Sequence, residues 1–175
     1  MTQQQDQNEQ PQSDPFEVVE AEHRTGARHK GVYLLPNLFT TGALFAGFYA
    51  IVAAMNGLFE AAAVGIIVAG ILDGLDGGVA RLTNTQSKFG AEYDSLSDCV
   101  AFGVAPGLVA YSWALTELGK FGWMAAFIYL ACAALRLARF NVQAESTDKR
   151  FFIGLPSPTG AGLVATMVWL GASRG

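Results

Sequence analysis

"ILDGLDGGVARLTNTQSKFGAEYDSLSD", residues 71–98, starts inside an apolar run and then places Asp73, Asp76, Asp94 and Asp98 within one short reach. At the centre of a membrane helix an acidic residue costs about 2.5–3.5 kcal/mol on insertion scales, and less near an interface. Four of them beside a membrane-length segment need a physical reason.

On both sides of this stretch the chain is apolar over membrane lengths. Half of the 175 residues are hydrophobic, and charge is gathered at the start and in a few later clusters. The runs between those clusters are long enough to cross a hydrocarbon core about 30 Å thick, which takes roughly 20 helical residues. The fold class is therefore all-α, a polytopic membrane helix bundle of about five transmembrane helices. These are predicted over about Pro36–Met55, Phe59–Leu82, Tyr93–Leu115 and Gly122–Val142, with a fifth from Pro158 to Ser173 that is short for a full crossing. Pro36 suits a first helical turn, and Pro106 predicts a bend in the third helix.

Residues 1–22 are rich in Gln, Asp and Glu and hold no Lys or Arg. Such a segment cannot bury enough apolar surface to fold and reads as a disordered tail. It lacks the basic start, apolar core and small-residue cleavage site of a signal peptide. Residues 23–35, "HRTGARHKGVYLL", form a basic juxtamembrane segment that either touches anionic headgroups or only fixes topology. Cys99 and Cys132 sit in apolar runs at a spacing that suits neither a zinc site nor a disulfide framework.

Orientation follows from the Lys and Arg of short loops. Arg24, Arg28 and Lys30 precede the first helix, and Arg81 and Lys88 lie between the second and third. Arg136, Arg139, Lys149 and Arg150 cluster at the end of the fourth, whereas residues 56–60 carry no basic residue. The amino terminus and the second and fourth loops are thus expected in the cytoplasm, and the acidic stretch with them.

Written as helix, Asp73, Asp76, Gly77 and Ala80 fall at i, i+3, i+4 and i+7 along one stripe, and Gly90, Asp94 and Asp98 line another. Two antiparallel helices would bring the stripes face to face. Arg81 and Lys88 can serve one or two of the carboxylates but not four, with Glu92 competing for them. A bound divalent metal is the better explanation: hard oxygen ligands suit Mg²⁺ or Mn²⁺, and no His or Cys ligand set lies nearby. Gly77, Ala80 and Gly90 leave a ligand-sized gap, and Arg81 can bind phosphate in a bidentate manner. The wider set Gly65, Gly70, Gly74, Gly78, Gly103 and Gly107 reads as close helix packing.

These residues spell D-x2-D-G-x2-A-R-x8-G-x3-D-x3-D with every spacing met. The pattern resembles the signature of the CDP-alcohol phosphatidyltransferase family, integral membrane enzymes of phospholipid synthesis. "LPNLFTTGALFAGFYAI", "AEYDSLSDCVAFGVAP", "ALRLARFNV" and "FFIGLPSPTGAG" are similar to the bacterial, serine-using branch of that family, over a likeness that runs from about Leu35 to the end.

The resemblance implies a two-metal site. Asp73, Asp76 and Asp94 would hold metal, with Asp98 near the second ion and acting as general base. Gly77, Ala80 and Gly90 would line the cytidine nucleotide with Arg81 in support. The implied reaction moves the phosphatidyl group of CDP-diacylglycerol to L-serine, giving phosphatidylserine and CMP. Asn37 and Thr40, at i and i+3 on the first helix, either face the nucleotide or belong to ordinary helix-start chemistry. Arg136 and Arg139 either bind the serine carboxylate or lipid phosphate, or anchor topology; Asn141 and Ser157 are further acceptor-pocket candidates.

The implied partners are CDP-diacylglycerol, L-serine, membrane lipids and a second copy of the chain in a homodimer, and not nucleic acid. The implied location is the bacterial inner membrane, with the site facing the cytoplasm. Relatives have six or more membrane helices as a rule, so the membrane domain, residues 36–175, is expected to be incomplete at its carboxyl end. Glycerol 3-phosphate or an inositol phosphate is the alternative acceptor, although few basic residues beyond Arg136 and Arg139 are on offer for a phosphorylated one. A divalent-cation transporter is the distant alternative, disfavoured because its acids would sit near the midplane in repeated halves.

Overall fold

Small residues at a 3–4 spacing decide how the helices meet. The computed structural model describes residues 37–83, 88–145 and 156–174. The expected tail over 1–22 and the basic segment over 23–35 lie outside them. All regular structure among the described residues is helical. Helix α1 spans Asn37–Met55 and α2 Phe59–Thr83. Helix α3 starts over Lys88–Asp98 and continues without a break to a closing 3₁₀ turn at Thr116–Leu118. Helix α4 spans Lys120–Glu145 and α5 Ser157–Ala172. Four of these, α1 to α4, are long and apolar enough to cross a membrane. The 16 residues of α5 fall short, at about 24 Å for a rise of 1.5 Å per residue.

The buried stripe of α1 is Thr40, Ala43, Gly47, Ala50 and Ala54, and that of α2 is Ala62, Ile66 and Ala69. Continued at the same spacing, the α2 stripe reaches Asp73 and Asp76. Side chains this small let backbones approach closely. A Cβ placed on Gly47 would stand 2.8 Å from the Cα of Ala101, and one on Gly65 would stand 3.1 Å from the carbonyl oxygen of Ala46. Gly103 and Gly107 likewise turn toward α4, where Leu130 and the carbonyl of Ala126 limit the space to 3.1 and 3.3 Å. Ala161, Ala165 and Val168 of α5 complete the core, mainly along α2.

The expected packing role of Gly74 and Gly78 is corrected. Both are exposed, and a Cβ on either meets nothing within 4 Å. The helix presses on its neighbours through Gly65, further from the acidic end.

The turns are built by capping. Gly57 takes φ +75°, its N–H reaches the carbonyl of Ala54, and the N–H of Leu58 reaches that of Ala53. This is the paired pattern that ends a helix at a left-handed glycine. Gly119, at φ +56°, turns α3 into α4.

At Pro106 the third helix answers a missing N–H with a π-helical turn over Cys99–Val104, in which the N–H of Ala105 bonds the carbonyl of Val100. The carbonyl of Phe102, four residues before Pro106, instead accepts the Tyr129 hydroxyl of α4 at 3.1 Å. The π-helical turn begins one residue after Asp98. Helix α4 is the least enclosed: Gly122 is its one buried residue among those described, and Phe121, Phe127, Leu135 and Val142 stand exposed.

Candidate metal and phosphate site

Because α1, α2 and α3 alternate in direction, the polar ends of their stripes fall at one end of the bundle. Thr40 lies near the start of α1, Asp73 and Asp76 toward the end of α2, and Asp94 and Asp98 in the first turns of α3. The four acids that the sequence singles out therefore meet. Asp73, Asp76 and Asp94 each offer a carboxylate oxygen, and the three atoms lie within 4.8 Å of one another. Asp98 reaches Asp73, side chain to side chain.

These carboxylates face each other. Asp94 is opposed by Asp76 and Asp73, and Asp98 by Asp73, Asp94 and Asp76. Like charges this close repel, and in a low-dielectric setting the repulsion is severe unless a proton or a cation intervenes. The arrangement fits a divalent ion. Oδ1 of Asp94 is buried with no hydrogen-bond partner, which is costly for an acceptor unless something else occupies it. The donor set is all carboxylate oxygen, the chemistry that Mg²⁺ and Mn²⁺ take.

One member of the trio is held from behind. Thr40 Oγ1 donates to Asp76 Oδ2 at 2.7 Å, and Ser97 Oγ donates to the carbonyl of Thr40 at 3.1 Å. At the edge of the site the hydroxyls of Thr41 and Tyr93 lie 2.9 Å apart, and Tyr93 stacks on Phe89. Asn37 is half-buried, and its carbonyl accepts the Thr41 hydroxyl.

Gly77 is half-buried, yet a Cβ on it would meet nothing within 4 Å. Open space thus lies next to Asp76, where the sequence predicts room for a ligand. Gly90 lies half-buried one turn before Asp94. Ala80 and Arg81 extend α2 by another turn, with their side chains outside the described residues.

The acceptor candidates separate. Arg136 is half-buried and its Nη1 donates to the buried hydroxyl of Ser157, at the start of α5. Arg139 is exposed. Asn141 and Ser95 are joined by two hydrogen bonds: Nδ2 donates to Ser95 Oγ at 2.9 Å, and Ser95 Oγ lies 3.2 Å from Oδ1. Asn141 is thereby tied to the neighbour of Asp94.

Sequence reading missed Thr41, Tyr93, Ser95 and Ser97. For Ser97 a signal was present, since Asp94, Ser97 and Asp98 fall at i, i+3 and i+4 on one face.

Residues 33–173 match the family model described as CDP-alcohol phosphatidyltransferase. Among curated proteins, a CDP-diacylglycerol–serine O-phosphatidyltransferase of Helicobacter pylori is 47% identical over 139 residues, covering 79% of this chain and 59% of that protein. Proteins with the same description from Mycobacterium tuberculosis and Bacillus subtilis are 42% and 39% identical. They cover 83% and 71% of this chain, and 54% and 69% of their own lengths. The chain thus spans a little over half the length of the first two relatives.

Proposed function

Because the chain belongs to the CDP-alcohol phosphatidyltransferase family, we propose that it moves the phosphatidyl group of CDP-diacylglycerol to the hydroxyl of L-serine, yielding phosphatidylserine and CMP. The observation that carries this reading is the convergence of Asp73, Asp76 and Asp94 beside open space at Gly77. Similarity to serine-using relatives along most of the chain supports serine as the acceptor.

Asp73, Asp76 and Asp94 would hold the divalent metal, Mg²⁺ or Mn²⁺, with Asp98 beside a second ion. Bound there, metal would neutralise charge on the phosphoryl oxygens during an in-line displacement. The remaining work falls to the chain's own groups. In this reading the open space beside Gly77 takes the cytidine nucleotide. The family pattern adds Ala80, Gly90 and Arg81 to its lining, with Asn37 at the same end of α1 and Thr40 behind Asp76.

Asp98 takes the proton of the serine hydroxyl, the task of a carboxylate within hydrogen-bond reach of its substrate. The serine oxygen then bonds to the lipid-side phosphorus, the bond from that phosphorus to the bridging oxygen breaks, and CMP leaves with the electron pair. Arg136, set against Ser157, and Asn141, tied to Ser95, form the acceptor side. Arg139 either joins them or anchors topology.

The distribution of Lys and Arg supports a site on the cytoplasmic side, and similarity to bacterial proteins supports a bacterial inner membrane. Lipid tails and the second copy of a homodimer belong to this reading, with the exposed face of α4 open to either.

Membranes containing the protein, supplied with CDP-diacylglycerol and Mg²⁺ or Mn²⁺, are to be offered serine, glycerol 3-phosphate and an inositol phosphate separately. Serine-dependent CMP release is the expected result. Release with glycerol 3-phosphate alone would overturn the acceptor assignment.

A further inference from the structure

We propose that Thr40 and Ser97 are positioning residues, a hydrogen-bonded ladder from α3 through α1 that fixes the Asp76 carboxylate in its metal-binding attitude. The proposal rests on the metal reading given above.

Membrane-helix cores of this kind are apolar, and few polar side chains are fully enclosed. Thr40, Asp76 and Ser97 are 4%, 5% and 2% exposed, and they come from three different helices. They are also joined in sequence: the Ser97 hydroxyl donates to the Thr40 carbonyl at 3.1 Å, and the Thr40 hydroxyl donates to Asp76 Oδ2 at 2.7 Å. Each link crosses between helices, spanning 57 and 36 residues of chain. Local helix-start chemistry cannot account for them.

The ladder has a direction. Its last donor meets a carboxylate whose neighbours are Asp73 and Asp94, so without restraint the Asp76 side chain would rotate away from the repulsion. A neutral hydroxyl held from behind opposes that rotation and adds no charge to compete with the ion. Partners of metal-ligating carboxylates characteristically act in this way, and their removal costs about 10–100-fold in metal affinity. Ser97 sits between Asp94 and Asp98 on α3, so the same residue also registers the third helix against the first.

The test is Mn²⁺ titration of the purified 175-residue chain in detergent, followed through the electron paramagnetic resonance of free Mn²⁺, alongside metal-free thermal stability. Thr40→Val, which keeps shape and loses the hydroxyl, is expected to weaken Mn²⁺ binding about tenfold. Thr40→Ser is expected to restore it. Ser97→Ala should act in the same direction, with little further loss when combined with Thr40→Val. In turnover, both Thr40→Val and Ser97→Ala should raise the metal concentration needed for half-activation, and Thr40→Ser should bring it back toward the wild-type value.

Wild-type Mn²⁺ affinity in Thr40→Val and Ser97→Ala would overturn the ladder. So would equal weakening in Thr40→Val and Thr40→Ser, because the hydroxyl would then be irrelevant. If Thr40→Val does not fold, Ser97→Ala and Thr40→Ser still decide the matter. Wild-type protein that binds no Mn²⁺ would instead overturn the metal reading itself, and the ladder with it.

Discussion

Asp98 of α3 meets Asp73 of α2 side chain to side chain, whereas the oxygens of Asp73, Asp76 and Asp94 gather as a trio without it. In the proposed reaction this carboxylate, beside the trio but outside it, is the group that takes the proton. Asp98→Asn should therefore lower kcat by about 10²–10⁴-fold, the range for loss of a general base, and leave one Mn²⁺ bound. Asp94→Asn should lose both turnover and that ion. Turnover measured beside Mn²⁺ titration checks the pair; full activity in Asp98→Asn would remove its assignment as base.

Glycines divide by what a methyl group would meet. Gly47→Ala pushes a Cβ to 2.8 Å from the Ala101 backbone, so α1 and α3 must separate, and overpacking of this kind costs about 1–3 kcal/mol. Gly77→Ala meets only open space. It should keep the thermal stability of the wild type and raise the KM for CDP-diacylglycerol. Equal stability losses in the two variants would contradict the packing described.

The Tyr129 hydroxyl bonds the Phe102 carbonyl that Pro106 leaves without its α-helical donor. Tyr129→Phe should cost about 1 kcal/mol of stability, the net worth of one hydrogen bond. In a Pro106→Ala background, where an N–H is available at that position, the cost should shrink. Unfolding of the two single variants and the double variant measures the coupling, and strict additivity would show that the two groups act independently.

Arg136 and Arg139 are three residues apart, yet only the former is half-buried and bonded to Ser157. Replacing a guanidinium by an ammonium removes its planar fork of donors. Arg136→Lys is expected to raise the KM for serine by about ten- to a hundredfold, as for a lost hydrogen bond to a charged group. Arg139→Lys should leave it near the wild-type value. Equal effects of the two changes would place both arginines in the acceptor pocket or neither.

Much of this was legible in the chain because it is written at helical spacing. The stripe through Ala62, Ile66 and Ala69 runs on into Asp73 and Asp76, and the partner stripe through Asp94 and Asp98 shows the same period. The convergence of the acids followed from that alone. What escaped were links across helices. The Thr40–Asp76 bond joins residues 36 apart, and nothing in local pattern chooses Asp76 over solvent or nucleotide for that hydroxyl. Gly74 and Gly78 misled for a related reason: a small residue in a membrane helix can mark a contact or a gap. Only the neighbouring backbone tells which, as the contrast with Gly47 shows. Pro106 announced a disturbance but not its form: neither the π-helical turn nor the Tyr129 hydroxyl that takes up the Phe102 carbonyl from another helix is written in local pattern.

The most direct measurement of the central claim is formation of labelled phosphatidylserine from CDP-diacylglycerol and labelled serine, with metal removed by chelation and then returned. Product is expected with Mg²⁺ or Mn²⁺ present, none after chelation, and recovery when either ion is restored. Phosphatidylserine formed at an undiminished rate in the chelated sample would contradict a metal-dependent site at Asp73, Asp76 and Asp94.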